Sequence, residues 1–172
     1  MFVALPDRVD FWRAVSGGAS FRGELALGEL PRLRTLLMEP HGVVRFGFDF
    51  GRDPDGRGVA RATLEAVLRL QCQRCLEVMD YPVSATLTMA AVASLDEVDR
   101  LPEGYDPLLL DDRHVRPRDL IEDELLLALP LIPRHASPDC LDAGLLGDAQ
   151  IEGEALGGPF AALADWRQPH SH

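Results

Sequence analysis

Two long alternating segments flank Cys72-Gln73-Arg74-Cys75, and they constrain the fold more than anything else in the chain. Before it, the even positions are Ala60, Ala62, Leu64, Ala66, Leu68, Leu70 and Cys72, while Arg61, Thr63, Glu65, Arg69 and Gln71 occupy odd ones. After it, Met79, Tyr81, Val83, Ala85, Leu87 and Met89 alternate with Asp80, Ser84, Thr86 and Thr88. Period-2 alternation sends successive side chains to opposite faces, so each segment reads as a strand with one buried face. The Cys-x-x-Cys pair then sits at a hairpin apex.

The same reading extends to both sides. Phe46, Phe48 and Phe50 share one face of a segment that ends at the turn residues Asp53-Pro54-Asp55-Gly56. Segments 43–50, 59–72 and 78–93 are therefore expected to form an antiparallel meander whose other face is open to solvent or a partner. Upstream, Val9, Phe11, Trp12 and Val15 suggest a short amphipathic helix stopping at Gly17-Gly18, and 21–27 a strand. Leu30, Leu33, Leu36 and Leu37 have helical spacing over 29–38, with a start near Pro31. Residues 94–112 read as an acidic loop before a short strand at 108–110. A helix over 117–129 starts with Pro117, places Asp119, Glu122, Asp123 and Glu124 in its early turns, and carries Leu120, Ile121, Leu125, Leu127 and Ala128 as its apolar face. Pro130 ends it.

A chain of 172 residues is expected to hold one core. The expected class is α+β: an antiparallel sheet, open or curled into a partial barrel, with a packed helix and an extended C-terminal arm. The single domain spans 1–141, and 142–172 form a flexible acidic connector with a terminal Pro-Phe element. No apolar run approaches the ~20 residues of a membrane helix, and the N-terminus has no signal-peptide pattern, so a cytoplasmic protein is expected.

Charge is unevenly distributed. All 17 basic residues are Arg, against 28 Asp and Glu, for a net charge of −11. Residues 1–75 hold 11 Arg and 9 acids, while 76–172 hold 6 Arg and 19 acids. Indiscriminate coating of nucleic acid is excluded, because phosphate binding needs a cationic surface. A local contact remains open, and Arg suits it through its planar fork. Arg61, Arg69 and Arg74 are the candidates, with Arg45, Arg52 and Arg57 nearby; an ordinary solvated face explains the same residues. Arg61 and Arg69 share one face and would lie roughly 26 Å apart along a strand.

Cys72 and Cys75 could present two thiolates to one tetrahedral ion, but they supply only half the ligands. His135 and Cys140 would complete a Zn2+ set if the chain beyond Pro133 packs against the hairpin tip. Two other readings stand beside it: a dithiol redox pair, disfavoured because both flanks alternate like strands, and unmetallated thiols that continue the apolar face. Asp111, Asp112 and the helix acids could imitate a divalent-metal cluster, but consecutive acids on a helix usually form a solvated first turn. No phosphate-cradling glycine loop and no hydrolase arrangement stands out.

Several segments together resemble a known family: Leu70-Gln71-Cys72-Gln73-Arg74-Cys75-Leu76, Leu101-Pro102-Glu103-Gly104-Tyr105-Asp106-Pro107, the run from Leu120 to Leu131, Pro133-Arg134-His135, Cys140, and Pro159-Phe160-Ala161-Ala162-Leu163. Their order and spacing are similar to those of the bacterial YceD family, the large ribosomal RNA subunit accumulation proteins, across roughly 60–165. The resemblance implies a non-enzymatic role in the synthesis, processing or stability of 23S rRNA, with no small-molecule substrate. A Lys-rich tail common in the family is absent here, where Ala164-Asp165-Trp166-Arg167-Gln168 stands instead. The expected partner is rRNA, contacted through Arg61, Arg69 and Arg74. The alternative is a zinc-stabilised adaptor whose Asp119, Glu122, Asp123 and Glu124 bind a basic large-subunit ribosomal protein.

Overall fold

The computed structural model describes residues 5–110, 112–137 and Cys140. Strand β1 (Val9–Asp10) leads directly into helix α1 (Phe11–Gly17). Asp10 caps α1 by accepting from the Arg13 backbone N–H at 3.1 Å. Gly18 closes it at φ 59°, a left-handed conformation that glycine adopts without a Cβ penalty. Strands β2 (Ser20–Ala26), β3 (Val43–Arg52), β4 (Gly58–Gln71) and β5 (Val78–Val92) then form the expected antiparallel meander. Its register pairs Phe48 with Ala62 and Leu64 with Ala85, so the apolar faces coincide across the sheet.

That inner face is the core. Val44, Phe46, Phe48 and Phe50 join the even residues of β4 and Met79, Val83 and Met89 of β5 in one buried cluster. Phe11, Ala14 and Val15 of α1 cover one part of it. Leu27, Leu30 and Leu33 and, from helix α3 (Pro117–Leu127), Ile121 and Leu125 belong to the same cluster. Each fully buried Leu or Phe contributes about 1.5–3 kcal/mol, which makes this layer the main source of stability. No helix among the described residues is long and apolar enough to cross a membrane.

Three expectations change. Residues 29–38 form no α-helix; two 3-10 turns, Leu27–Glu29 and Leu33–Thr35, stand there instead. Leu27, Leu30 and Leu33 are fully buried at intervals of three, the 3-10 period, whereas Leu36 and Met38 are exposed. Residues 94–112 contain a short helix α2 (Leu95–Val98) and strand β6 (Asp106–Leu109), which pairs parallel to β5. The excursion through α2 reverses the chain, so the sheet is mixed, runs β2-β3-β4-β5-β6, and stays open without closing into a barrel. Leu127 of α3 is 79% exposed. Six residues beyond Ile121, it has rotated off the buried stripe. A two-residue strand β7 (His114–Val115) pairs with β1 and ties the start of the chain to the start of α3. The acidic connector and Pro-Phe element expected over 142–172 lie outside the described residues.

Candidate metal centre

Cys72 continues the inward face of β4 one residue past its end and is fully buried. The chain then turns tightly. The Cys72 N–H donates to the Glu77 carbonyl and the Leu76 N–H to the Cys72 carbonyl, each at 2.9 Å, and the Gln71 side chain donates to the Leu76 carbonyl at 3.1 Å. Leu76 adopts φ 63°, left-handed for an L residue, which stores about 1 kcal/mol of strain in the turn.

After α3 and Pro130 the chain crosses this apex. The Gln73 N–H donates to the Pro133 carbonyl at 2.8 Å. The crossing places His135 and Cys140 beside the turn, as the sequence spacing suggested. The Cys72 and Cys140 Sγ atoms are 3.9 Å apart, and Cys75 Sγ lies 3.4 Å from His135 Nδ1. All four ligand atoms fall within 4.8 Å of one another. A tetrahedron built on metal–sulfur bonds of about 2.3 Å has edges of about 3.8 Å, so this Cys3His cluster could hold a tetrahedral metal ion.

The electrostatics suit thiolates. Burial pushes the Cys72 thiol up, but hydrogen bonding from the backbone N–H groups of Cys75, His135 and Arg74 outweighs it and lowers the group to about 5. At Cys75 a backbone N–H from Glu77 favours the thiolate, while burial and the neighbouring Cys72 and Cys140 sulfurs prevail and raise it. Two sulfurs cannot both ionise at close range without a cation between them. The half-buried Arg74 supplies one nearby positive charge. Its Nε donates to Cys140 Sγ at 3.0 Å, and its NH2 group reaches the carbonyls of His135 and Ser137.

The remaining candidates are dispersed. Arg61 and Arg69 are both exposed on the outer sheet face, where their register partners are Asp49 and Asp80. Arg69 pairs with Glu39 and, at 3.3 Å, with Asp80. Asp49 is held low by the Ser20 hydroxyl, against its burial, and then by Arg22 and Arg61. The four helix acids do not share one surface, because Glu122 is buried. Asp119 faces Arg116 at 3.6 Å and Asp123 pairs with Arg32 at 2.7 Å. Glu124 is pushed up by burial and then by Asp106.

Glu122 is 3% exposed and turned inward. It accepts from the backbone N–H groups of Arg32 at 2.7 Å and Leu33 at 3.1 Å and pairs with the Arg32 guanidinium at 2.9 Å. It thereby satisfies the free donors at the start of a 3-10 turn. Arg32 and the tie it makes were missing from the sequence reading. Nothing local signals a partner 90 residues away.

The family model described as Large ribosomal RNA subunit accumulation protein YceD matches residues 60–165. A protein of that name from Haemophilus influenzae is 30% identical over 170 residues, covering 96% of this chain and 98% of the relative. No solved structure matches.

Proposed function

From the premise that this chain belongs to the large ribosomal RNA subunit accumulation protein YceD family, we propose that it is a cytoplasmic accessory factor for 23S rRNA, acting by binding rather than catalysis. The observation that carries this reading is the likeness to the Haemophilus influenzae relative over nearly the whole chain, together with the family match over 60–165. The relative's name ties it to accumulation of large-subunit RNA, and the role is transferred on that likeness. The open outer face of the sheet supplies a surface for it. Arg61 and Arg69 lie on that face; Arg69 pairs with Glu39 and Asp80, which phosphate would displace, and Arg61 stands opposite Asp49, which Arg22 already pairs. Arg74 enters through the apex it holds together, since its guanidinium is committed there.

Depletion of the protein is expected to lower the ratio of large- to small-subunit rRNA, and an unchanged ratio would remove the basis of the reading. Arg61→Ala with Arg69→Ala is expected to weaken crosslinking to RNA and flatten its salt dependence. Unaltered crosslinking would move the contact elsewhere.

The charge split supports a second reading. An acidic helix surface, carried by Asp119, Asp123 and Glu124, would bind a basic large-subunit protein, with Zn2+ stabilising the adaptor. Glu122 would then contribute by fixing the helix from inside. Such a partner would associate quickly and salt-sensitively. Recovery of a ribosomal protein after nuclease treatment favours this version, whereas loss of every partner favours RNA.

A further inference from the structure

We propose that Cys72, Cys75, His135 and Cys140 are the four ligands of a tetrahedral Zn2+ site with Arg74 as its charge-balancing neighbour, and that the ion latches the segment after α3 onto the β4–β5 apex. This inference is independent of the ribosomal role.

Four observations converge. The Cys72–Cys140 sulfur separation of 3.9 Å and the Cys75 Sγ–His135 Nδ1 separation of 3.4 Å bracket the tetrahedral edge. Three sulfurs and one imidazole nitrogen form a soft set that excludes Mg2+ and Ca2+, which take oxygen, and matches structural zinc. Charge closes as well: Zn2+ with three thiolates carries −1, and the Arg74 guanidinium bonded to Cys140 Sγ returns the assembly to neutrality in a half-buried place. The fourth observation is what else holds the segment. Ala128 and Leu129 pack against the core only at the start of the segment; Leu131 is fully exposed and Ile132 is 55% exposed, so hydrophobic burial does not anchor the part that crosses the apex. Its described ties to the apex are the Gln73 bond to Pro133, the Arg74 bonds to His135 and Ser137, and the cluster itself.

All four positions come from protein side chains, which leaves no coordination site for a substrate. The site is therefore structural, closed by ligands from two distant parts of the chain. Arg74 acts as a positioning residue: it orients Cys140 and binds the carbonyl of the His135 ligand.

The test uses the untagged full-length chain, purified under reducing conditions. Elemental analysis is expected to find about one zinc per chain, and Co2+ exchanged into the site is expected to show the visible bands and thiolate charge-transfer absorption of a tetrahedral sulfur-rich centre. Cys140→Ser is expected to weaken affinity by about 100-fold or more and Arg74→Gln by roughly 10- to 100-fold, the Arg variant retaining stoichiometry at saturation. If Cys140→Ser fails to fold, His135→Cys keeps the test alive, because it should retain the ion and shift the cobalt bands toward those of a four-thiolate site. Protein without zinc and without a cobalt–thiolate spectrum after reduction overturns the proposal, as does zinc retained undiminished in Cys140→Ser. A normal rRNA ratio after depletion leaves this outcome untouched, so the two readings fail separately.

Discussion

Along β4 and β5, Leu64, Leu68 and Val83 belong to one apolar cluster, whereas at the apex of the same two strands three thiols, one imidazole and one guanidinium are gathered together. Stability in the first region is spread over many side chains, each replaceable at a cost. In the second it is concentrated, so the apex can be lost whole while the sheet survives. The difference separates what determines the fold from what determines the shape of one end of it.

The largest effect should come from the first region. Phe48→Ala removes a ring that is 1% exposed at the middle of the inner face and is expected to cost about 3–5 kcal/mol, read from urea unfolding. A loss below about 1 kcal/mol would show that the core lies elsewhere.

Next comes the tie between α3 and the first third of the chain. Glu122→Ala leaves the Arg32 and Leu33 N–H groups without their acceptor and is expected to cost about 2–3 kcal/mol. Burial pushes the Glu122 carboxyl up, but the Leu33 N–H and the Arg32 guanidinium and N–H together lower it from 4.5. A depressed folded-state value stabilises the protein above the unfolded value and is lost as pH falls through the lower one. Stability should therefore decline below about pH 4.5, and the decline should be shallower in Glu122→Gln. Equal slopes would mean that other carboxylates, such as Asp49 and Asp53, carry the acid limb.

Removal of the proposed Zn2+ should act on the second region alone. Chelation under reducing conditions is expected to free the Gln73 and Leu76 amides to exchange, while β3, β4 and β5 keep their protection and the circular dichroism of the sheet. Loss of protection across β4 would show the two regions to be one cooperative unit. The smallest effect belongs to Leu76→Gly, which relieves the left-handed conformation but loosens the unfolded chain; a gain of at most about 1 kcal/mol is expected.

The same contrast explains what could be read from sequence. The meander was legible because burial on one face imposes alternation, visible from Ala60 to Cys72 at every position except the exposed Val67. The cluster was legible because Cys-x-x-Cys at a hairpin apex needs partners, and His135 and Cys140 follow the helix at the right place. The 29–38 segment misled because Leu30, Leu33 and Leu37 satisfy helical spacing, while the spacing of three from Leu27 to Leu33 decided the outcome. Strand β6 was legible only as a short apolar strand over 108–110; its start at Asp106 and its parallel pairing with β5 left no trace, since its four residues follow Pro102 and Gly104 without periodicity. Glu122 was illegible for a different reason. In a run with Asp123 and Glu124 it looks solvated, and only tertiary contact reveals it as a buried acceptor.

The Glu122 bond also sets a clock. The N–H groups of Arg32 and Leu33 are made 90 residues before the carboxylate that satisfies them. At a synthesis rate of about 5–20 residues per second, that interval is roughly 5 to 18 s; β5 ends at Val92, so over the last stretch up to Glu122, roughly 1.5 to 6 s, β2 to β5 are complete while the leucine-rich turns beneath them have no lid. The nascent protein thus emerges with its sheet formed early and one flank unfinished, and the arrival of α3 is the event that ends its exposure to the crowded ribosomal exit.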